Sequence, residues 1–240
     1  ETMEVRKRHR RKPLWCCQKR QVGRDDEYRG SRKQNRKPPL REQKPARERP
    51  ENRNNHDNHQ EVGNLAPALA LVSAYRDFLD DLADPAVAVE WGLAWLERNA
   101  PPRGALAFCH RDFRTGNYLV KDGRLAAVLD WEFAGPGDPD EDLGWFLAKC
   151  WRFGKTGLEA GGVGSREGFL AAYERASGRA VDRARLGYWE IMAHVRWAVI
   201  ALQQAERHVS GAEESLELAL TAHVVPELEL EILDRTRDGA

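Results

Sequence analysis

The chain has 240 residues with 38 basic and 38 acidic side chains, so its formal net charge is zero. The balance is uneven: residues 1–60 hold 19 Lys and Arg against 9 Asp and Glu, leaving 19 against 29 for residues 61–240. No apolar run is long enough to span a bilayer and none near the start forms a secretory core, which argues against a membrane or exported protein.

Only 10 of the first 60 residues are apolar, too few to offset the entropy of ordering that segment. Residues 1–62 are therefore expected to form a basic, disordered or non-native segment, and residues 63–240 a single folded unit. Weak contact of the basic segment with polyanions is conceivable, but Trp15 and Tyr28 are its sole stacking groups, so nucleic acid is not an expected partner. His56 and His59 stand in a polar tract without further ligands and read as solvent-exposed. Cys16, Cys17, Cys109 and Cys150 show no CxxC spacing, which fits reduced thiols in a cytoplasmic protein.

Apolar residues recur at helical spacing from Leu65 to about Leu82. Asp84-Pro85 then opens a second helix to about Asn99, and Pro101-Pro102 ends it. ALAFC (105–109) reads as a short strand. NYLVK and RLAAVLD flank Asp122-Gly123, a two-residue hairpin signal. Asp138-Pro139 with Glu141 has the form of an N-cap, a first-turn proline and a capping-box acid. The helix it opens is expected to reach Phe153, with Gly154 as its stop. Further helices cover about 166–177, 183–208, 213–223 and 226–236. Trp91, Trp95, Trp145, Trp151, Trp189 and Trp197 fall at helical spacings and read mostly as core. A small hairpin among helices is an α+β pattern.

The chemistry-bearing stretch is CHRDFRTGNYLV (109–120), which sets His110-Arg111-Asp112 four residues ahead of Asn117. If Lys121 pairs with Arg124, Asn117 falls opposite Val128, and Asp130 is its diagonal neighbour on the same face. Diagonal neighbours lie about 7–8 Å apart. Two oxygen ligands of one Mg²⁺, each about 2.1 Å from the ion, can close that gap by leaning inward. Tyr118, Val120, Leu125, Ala127 and Leu129 take the other face, which suits a core. His110 reads as a packed or backbone-bonded histidine at a strand end.

The loop, the hairpin, Leu129-Asp130-Trp131-Glu132 and Gly137-Asp138-Pro139…Asp142-Leu143 together resemble the aminoglycoside phosphotransferase and choline kinase family. The likeness is nearest to the phosphotransferase domains fused to acyl-CoA dehydrogenases, and it covers about residues 65–235. It implies a mainly helical C-terminal lobe of a protein-kinase-like fold, using ATP and Mg²⁺ to phosphorylate a small-molecule hydroxyl, with a hydroxyacyl-CoA as one candidate. It also implies roles. Asp112 would take the hydroxyl proton, and Asn117 and Asp130 would hold Mg²⁺. Asp142 would brace the loop, while His110, Arg111 and Glu132 would stand behind the ligands. Small-molecule kinases of the family usually carry Gly where Arg111 stands. Residues 1–62 lack the strand pattern, Gly-rich loop and lysine of the family's N-terminal lobe, so this chain is expected to be truncated and impaired. The competing expectation is an idle kinase-like remnant, or a binding module with a basic tail.

Overall fold

The computed structural model describes residues 67–80, 82 and 86–237. All of them lie in residues 56–240, the second of two units into which the chain divides. The expectations for residues 1–62 and for the Asp84-Pro85 cap therefore fall outside the described residues.

In chain order the elements are α1 (Pro67–Leu79), α2 (Val87–Arg98), β1 (Ala107–Cys109), β2 (Tyr118–Lys121), β3 (Arg124–Val128), β4 (Gly135–Gly137), α3 (Pro139–Leu147), α4 (Arg166–Ser177), α5 (Arg183–Val209), α6 (Leu216–Thr221) and α7 (Val225–Thr236). The architecture is α+β and mostly helical. Its strands form two small antiparallel pairs, β1 with β4 and β2 with β3.

The 27-residue helix α5 is the axis of the lobe. Asp182 caps it by accepting from the N–H groups of Ala184 and Arg185. Leu186, Trp189, Met192, Val195 and Val199 recur along it at three- and four-residue steps and are all buried. Val72 and Tyr75 of α1, Val89, Leu93 and Leu96 of α2, and Leu228 and Ile232 of α7 pack around that stripe. Each such apolar side chain stabilises the fold by about 1.5–3 kcal/mol when fully buried. A second cluster joins Leu143, Phe146 and Leu147 of α3 to Leu170 and Leu186. The close approach of α3 to α5 depends on Gly144, where a Cβ would sit 2.6 Å from the Trp189 backbone carbon.

Asp138 caps α3 through the Asp140 N–H, with a proline in the first turn, as its sequence signature predicts. Glu141 does not complete a capping box. Its carboxylate turns inward to Arg196 at 3.4 Å and Arg111 at 3.5 Å. The helix also ends at Leu147 rather than Phe153. Ala148 takes an extended ψ of 140°, and a 3₁₀ turn (Lys149–Trp151) carries the chain on. The expected helix over 213–223 begins later, at Leu216, and ends in a 3₁₀ turn over Ala222–Val224. Strand β4 is the tripeptide Gly-Pro-Gly, which has no strand signal; β1 recruits it by pairing Ala107 with Gly137 and Cys109 with Gly135. Trp145, Trp151 and Trp189 are buried, but Trp91 is 42% exposed and donates its indole N–H to Thr236 Oγ1 at 2.8 Å.

The hairpin turn is the expected one. Asp122 and Gly123 have φ of 52° and 71°, both positive as a type I′ turn requires. The register is not. Lys121 faces Arg124 and Val120 faces Leu125, but an irregularity before Val120 then sets Leu119 against Ala127 and Tyr118 against Val128. Asn117 thus lies beside Leu129, whose N–H donates to the Asn117 carbonyl at 2.8 Å. Period-2 counting from the turn cannot see a bulge. Nor does the other face bury itself: Val120 and Leu125 are 60% and 58% exposed, and Tyr118 and Ala127 are half-buried.

Among the described residues no helix is long and apolar enough to cross a membrane.

Candidate active site

The loop between β1 and β2 is held from three sides. From α3, the Asp142 carboxylate accepts the backbone N–H of His110 on one oxygen and of Arg111 on the other, each at 2.6 Å. From α5, the Arg196 guanidinium donates to the Arg111 carbonyl at 2.5 Å. Just past the end of β3, the Leu129 carbonyl accepts from the buried His110 ring at Nε2, 2.8 Å away. The tautomer follows from the partners. The Asp112 N–H donates to His110 Nδ1 at 3.1 Å, so Nε2 carries the ring proton.

Arg111 adopts a φ of 65°, a region that costs a non-glycine residue on the order of 1–2 kcal/mol. Its side chain offsets the strain by reaching β4, where it donates to the Pro136 carbonyl at 2.6 Å, and by facing Glu141. Burial holds the Glu141 carboxyl above the usual carboxylate range, against the downward pull of Arg196 and Arg111. The Arg111 guanidinium thus faces Pro136 and Glu141, with 31% of its side chain exposed. Beneath it, burial and the nearby Asp142 raise the Cys109 thiol to about 12, so that thiol is inert packing. The start of α3 is tied to α5 by Arg185, which pairs with both Asp138 and Asp140.

Asp112 and Asn117 meet directly. Asn117 Nδ2 donates to Asp112 Oδ2 at 2.6 Å and to the Asp112 carbonyl at 2.9 Å. Both partners are acceptors only, so the amide nitrogen must face them and the Asn117 side-chain oxygen must point away. The other Asp112 oxygen, Oδ1, accepts from the indole N–H of Trp145 at 3.0 Å and from Arg114 Nε at 3.3 Å.

Asp130 is the next residue after Leu129, whose N–H is bonded to Asn117. It is exposed and takes a left-handed conformation, φ 66° and ψ 54°, between β3 and the 3₁₀ turn Trp131–Phe133. Outliers of this kind recur at functional sites, and Asp tolerates the region better than most residues. Glu132 lies exposed on that turn. Among the described residues no three or more His, Cys, Asp or Glu side chains cluster as a metal site. The available donors are an amide oxygen turned away from its neighbour and an exposed carboxylate one residue beyond its backbone partner. Both are hard oxygen donors of the kind Mg²⁺ takes while keeping several waters, so the residues present fit that ion.

Sequence reasoning passed over Trp145 and Arg114 as partners of Asp112. A signal was present for the first: Asp142 and Trp145 are three residues apart on α3, so whatever Asp142 touches, Trp145 is placed to touch as well. An apolar cavity of about 360 Å³ opens behind the loop, walled by Phe113, Tyr118, Val120, Leu125, Phe146, Val163 and Phe169. Phe113 and Tyr118 are the chain neighbours of Asp112 and Asn117, whose side chains do not line it.

A model of the phosphotransferase enzyme family matches residues 33–189. The chain is 30% identical over 159 residues to acyl-CoA dehydrogenase family member 11 of Gallus gallus, covering 59% of this chain and 20% of that one. The same protein of Homo sapiens is 28% identical over 144 residues, with 56% and 18% covered. The chain thus spans about a fifth of the length of the curated relatives it matches. Among solved structures, a candidate aminoglycoside phosphotransferase from Ralstonia eutropha superposes with a TM-score of 0.61 at 20% identity, over 71% of this chain and 55% of that one. At that identity the likeness shows the fold, which is protein-kinase-like.

Proposed function

The chain belongs to the phosphotransferase enzyme family, and on that premise we propose that it transfers the γ-phosphate of ATP to the hydroxyl of a small molecule, with residues 63–240 as the lobe that carries the chemistry. The observation that carries this reading is the Asp112–Asn117 contact. One hydrogen bond of 2.6 Å fixes a carboxylate and, at the same time, leaves the Asn117 amide oxygen turned away from it.

In this reading Asp112 receives the proton of the acceptor hydroxyl as that oxygen bonds the γ-phosphorus, and the bridging electron pair leaves with ADP. Asn117 and Asp130 hold Mg²⁺, which when bound neutralises charge on the phosphate oxygens. Asp142 and Arg196 keep the loop backbone in place, His110 ties it to Leu129 just past β3, and Arg111 ties it to β4. Glu132 stands on the 3₁₀ turn that follows the ligand Asp130. Positioning dominates the rate here, because phosphoryl transfer needs little covalent help from the protein.

A hydroxyacyl-CoA is the acceptor favoured for a first test. The curated relatives bear acyl-CoA dehydrogenase names. The cavity beside Phe113 and Tyr118 is apolar, which suits an acyl chain better than a cationic sugar.

Paramagnetic Mn²⁺ in place of Mg²⁺ tests the ligand assignment without turnover. With ATP present it should broaden the NMR signals of the Asn117 side-chain amide and of Asp130 before others. Asp130→Ala should abolish that broadening, and broadening centred elsewhere in the lobe would refute the assignment.

A further inference from the structure

We infer that Trp145 is a positioning residue for the proton acceptor, and that it assigns the two oxygens of Asp112 different tasks. The inference rests on the proposed role of Asp112 and adds which oxygen acts and what holds it.

A carboxylate oxygen offers two lone-pair directions. Asp112 Oδ1 uses both, for the Trp145 indole N–H at 3.0 Å and Arg114 Nε at 3.3 Å. Oδ2 uses one, for Asn117 Nδ2 at 2.6 Å, and keeps the other. The proton of the acceptor hydroxyl therefore goes to Oδ2, while Oδ1 serves as the anchored end.

The anchor is rigid because Trp145 is itself clamped. It is 3% exposed. The Arg196 guanidinium lies 4.5 Å from its ring centroid, and the Trp151 ring packs against it at 5.1 Å. Arg114, the second donor to Oδ1, rests over Trp151 at 5.0 Å. Such cation–π contacts and ring pairs hold an indole at a fixed angle. One helix, α3, thereby fixes both halves of the residue that matters: Asp142 fixes the backbone leading to Asp112, and Trp145 fixes its side chain.

Trp145→Phe keeps a ring in the stack and deletes the donor. In the full chain, kcat for the transfer should fall about tenfold, the kinetic equivalent of one hydrogen bond. KM for acceptor and ATP should stay within about twofold, since nothing that binds substrate has changed. A loss shared between kcat and KM, or an unchanged kcat, overturns the inference. Asp112→Asn run beside it separates the two claims. If that variant keeps full turnover, the proposed function fails. If it is dead while Trp145→Phe is fully active, only the positioning role fails. A second readout needs no turnover. The indole N–H resonance that Trp145→Phe deletes should be the one that Asp112→Asn moves most in a ¹H–¹⁵N spectrum. If another indole moves more, the contact is absent and the inference is wrong.

Discussion

The Asp142 carboxylate accepts the N–H of Arg111 at 2.6 Å, at a residue held with φ of 65°. A strained backbone persists only where its surroundings determine it, and here the determinant is a carboxylate from the next helix. Hydrogen bonds to a charged group contribute about 1.5–3 kcal/mol each. Asp142→Asn keeps one acceptor and turns an NH₂ toward the second N–H. It should lower the unfolding free energy in urea by about 2–3 kcal/mol and reduce transfer with it. A loss below about 0.5 kcal/mol would show that the loop holds itself.

Arg111→Gly sets two effects against each other. Glycine relieves on the order of 1–2 kcal/mol of backbone strain. It also removes the bond to Pro136 and one of the two guanidiniums facing the buried Glu141. A charge-assisted bond and a half-compensated buried carboxylate together outweigh the relief. The variant should be about 1 kcal/mol less stable, measured as a shift in the urea midpoint at constant slope. A more stable variant would mean that strain dominates.

Much of the fold was legible because its signals are local. Asp122-Gly123 demands a type I′ hairpin, Asp138-Pro139 opens a helix, and the pattern over about 183–208 marks a long helix, found as Arg183–Val209. What escaped depends on partners distant in sequence. Glu141 looks like a capping acid until Arg196, 55 residues on, claims it. Gly135–Gly137 becomes a strand only because β1 lies beside it. In the candidate site the spacing of Asp112 and Asn117 was readable, and the structure adds their direct contact. The bulge that places Asn117 beside Leu129 leaves no mark in the alternation of residues 117–130.

Gly144→Ala tests the seat of α3. The added methyl would meet the Trp189 carbonyl carbon at 2.6 Å and its oxygen at 2.8 Å, and backbone cannot swing aside as a side chain can. Overpacking of this kind costs about 1–3 kcal/mol. Helix α3 carries Asp142 and Trp145, so the displacement should also lower transfer. A thermal midpoint equal to that of the parent chain would contradict the packing described.

His194 makes stability fall in acid. Its ring is fully buried, Nδ1 donates to the Glu190 carbonyl at 2.7 Å, and Nε2 has no partner. Burial, with Arg235 nearby, lowers its pKa from 6.5 to about 4. The unfolded chain therefore binds this proton first, so the contribution is present above pH 6.5 and is lost as pH falls toward 4. The loss amounts to roughly 3 kcal/mol across that window. His194→Gln should flatten that part of the pH–stability curve. An equally steep fall in the variant would assign the effect to other groups.

The central claim is that Asp112 is the proton acceptor in phosphate transfer. The direct measurement is ATP turnover with Mg²⁺ and a panel of hydroxyacyl-CoA esters and aminoglycosides, comparing the parent chain with Asp112→Asn at matched folding. Transfer to at least one hydroxyl is expected, with a hydroxyacyl-CoA first, slow because residues 1–62 carry no Gly-rich loop or matching lysine, and with a fall of about 10²–10⁴-fold in the variant. Equal rates in the two proteins, or no acceptor-dependent turnover by the parent chain, would contradict it.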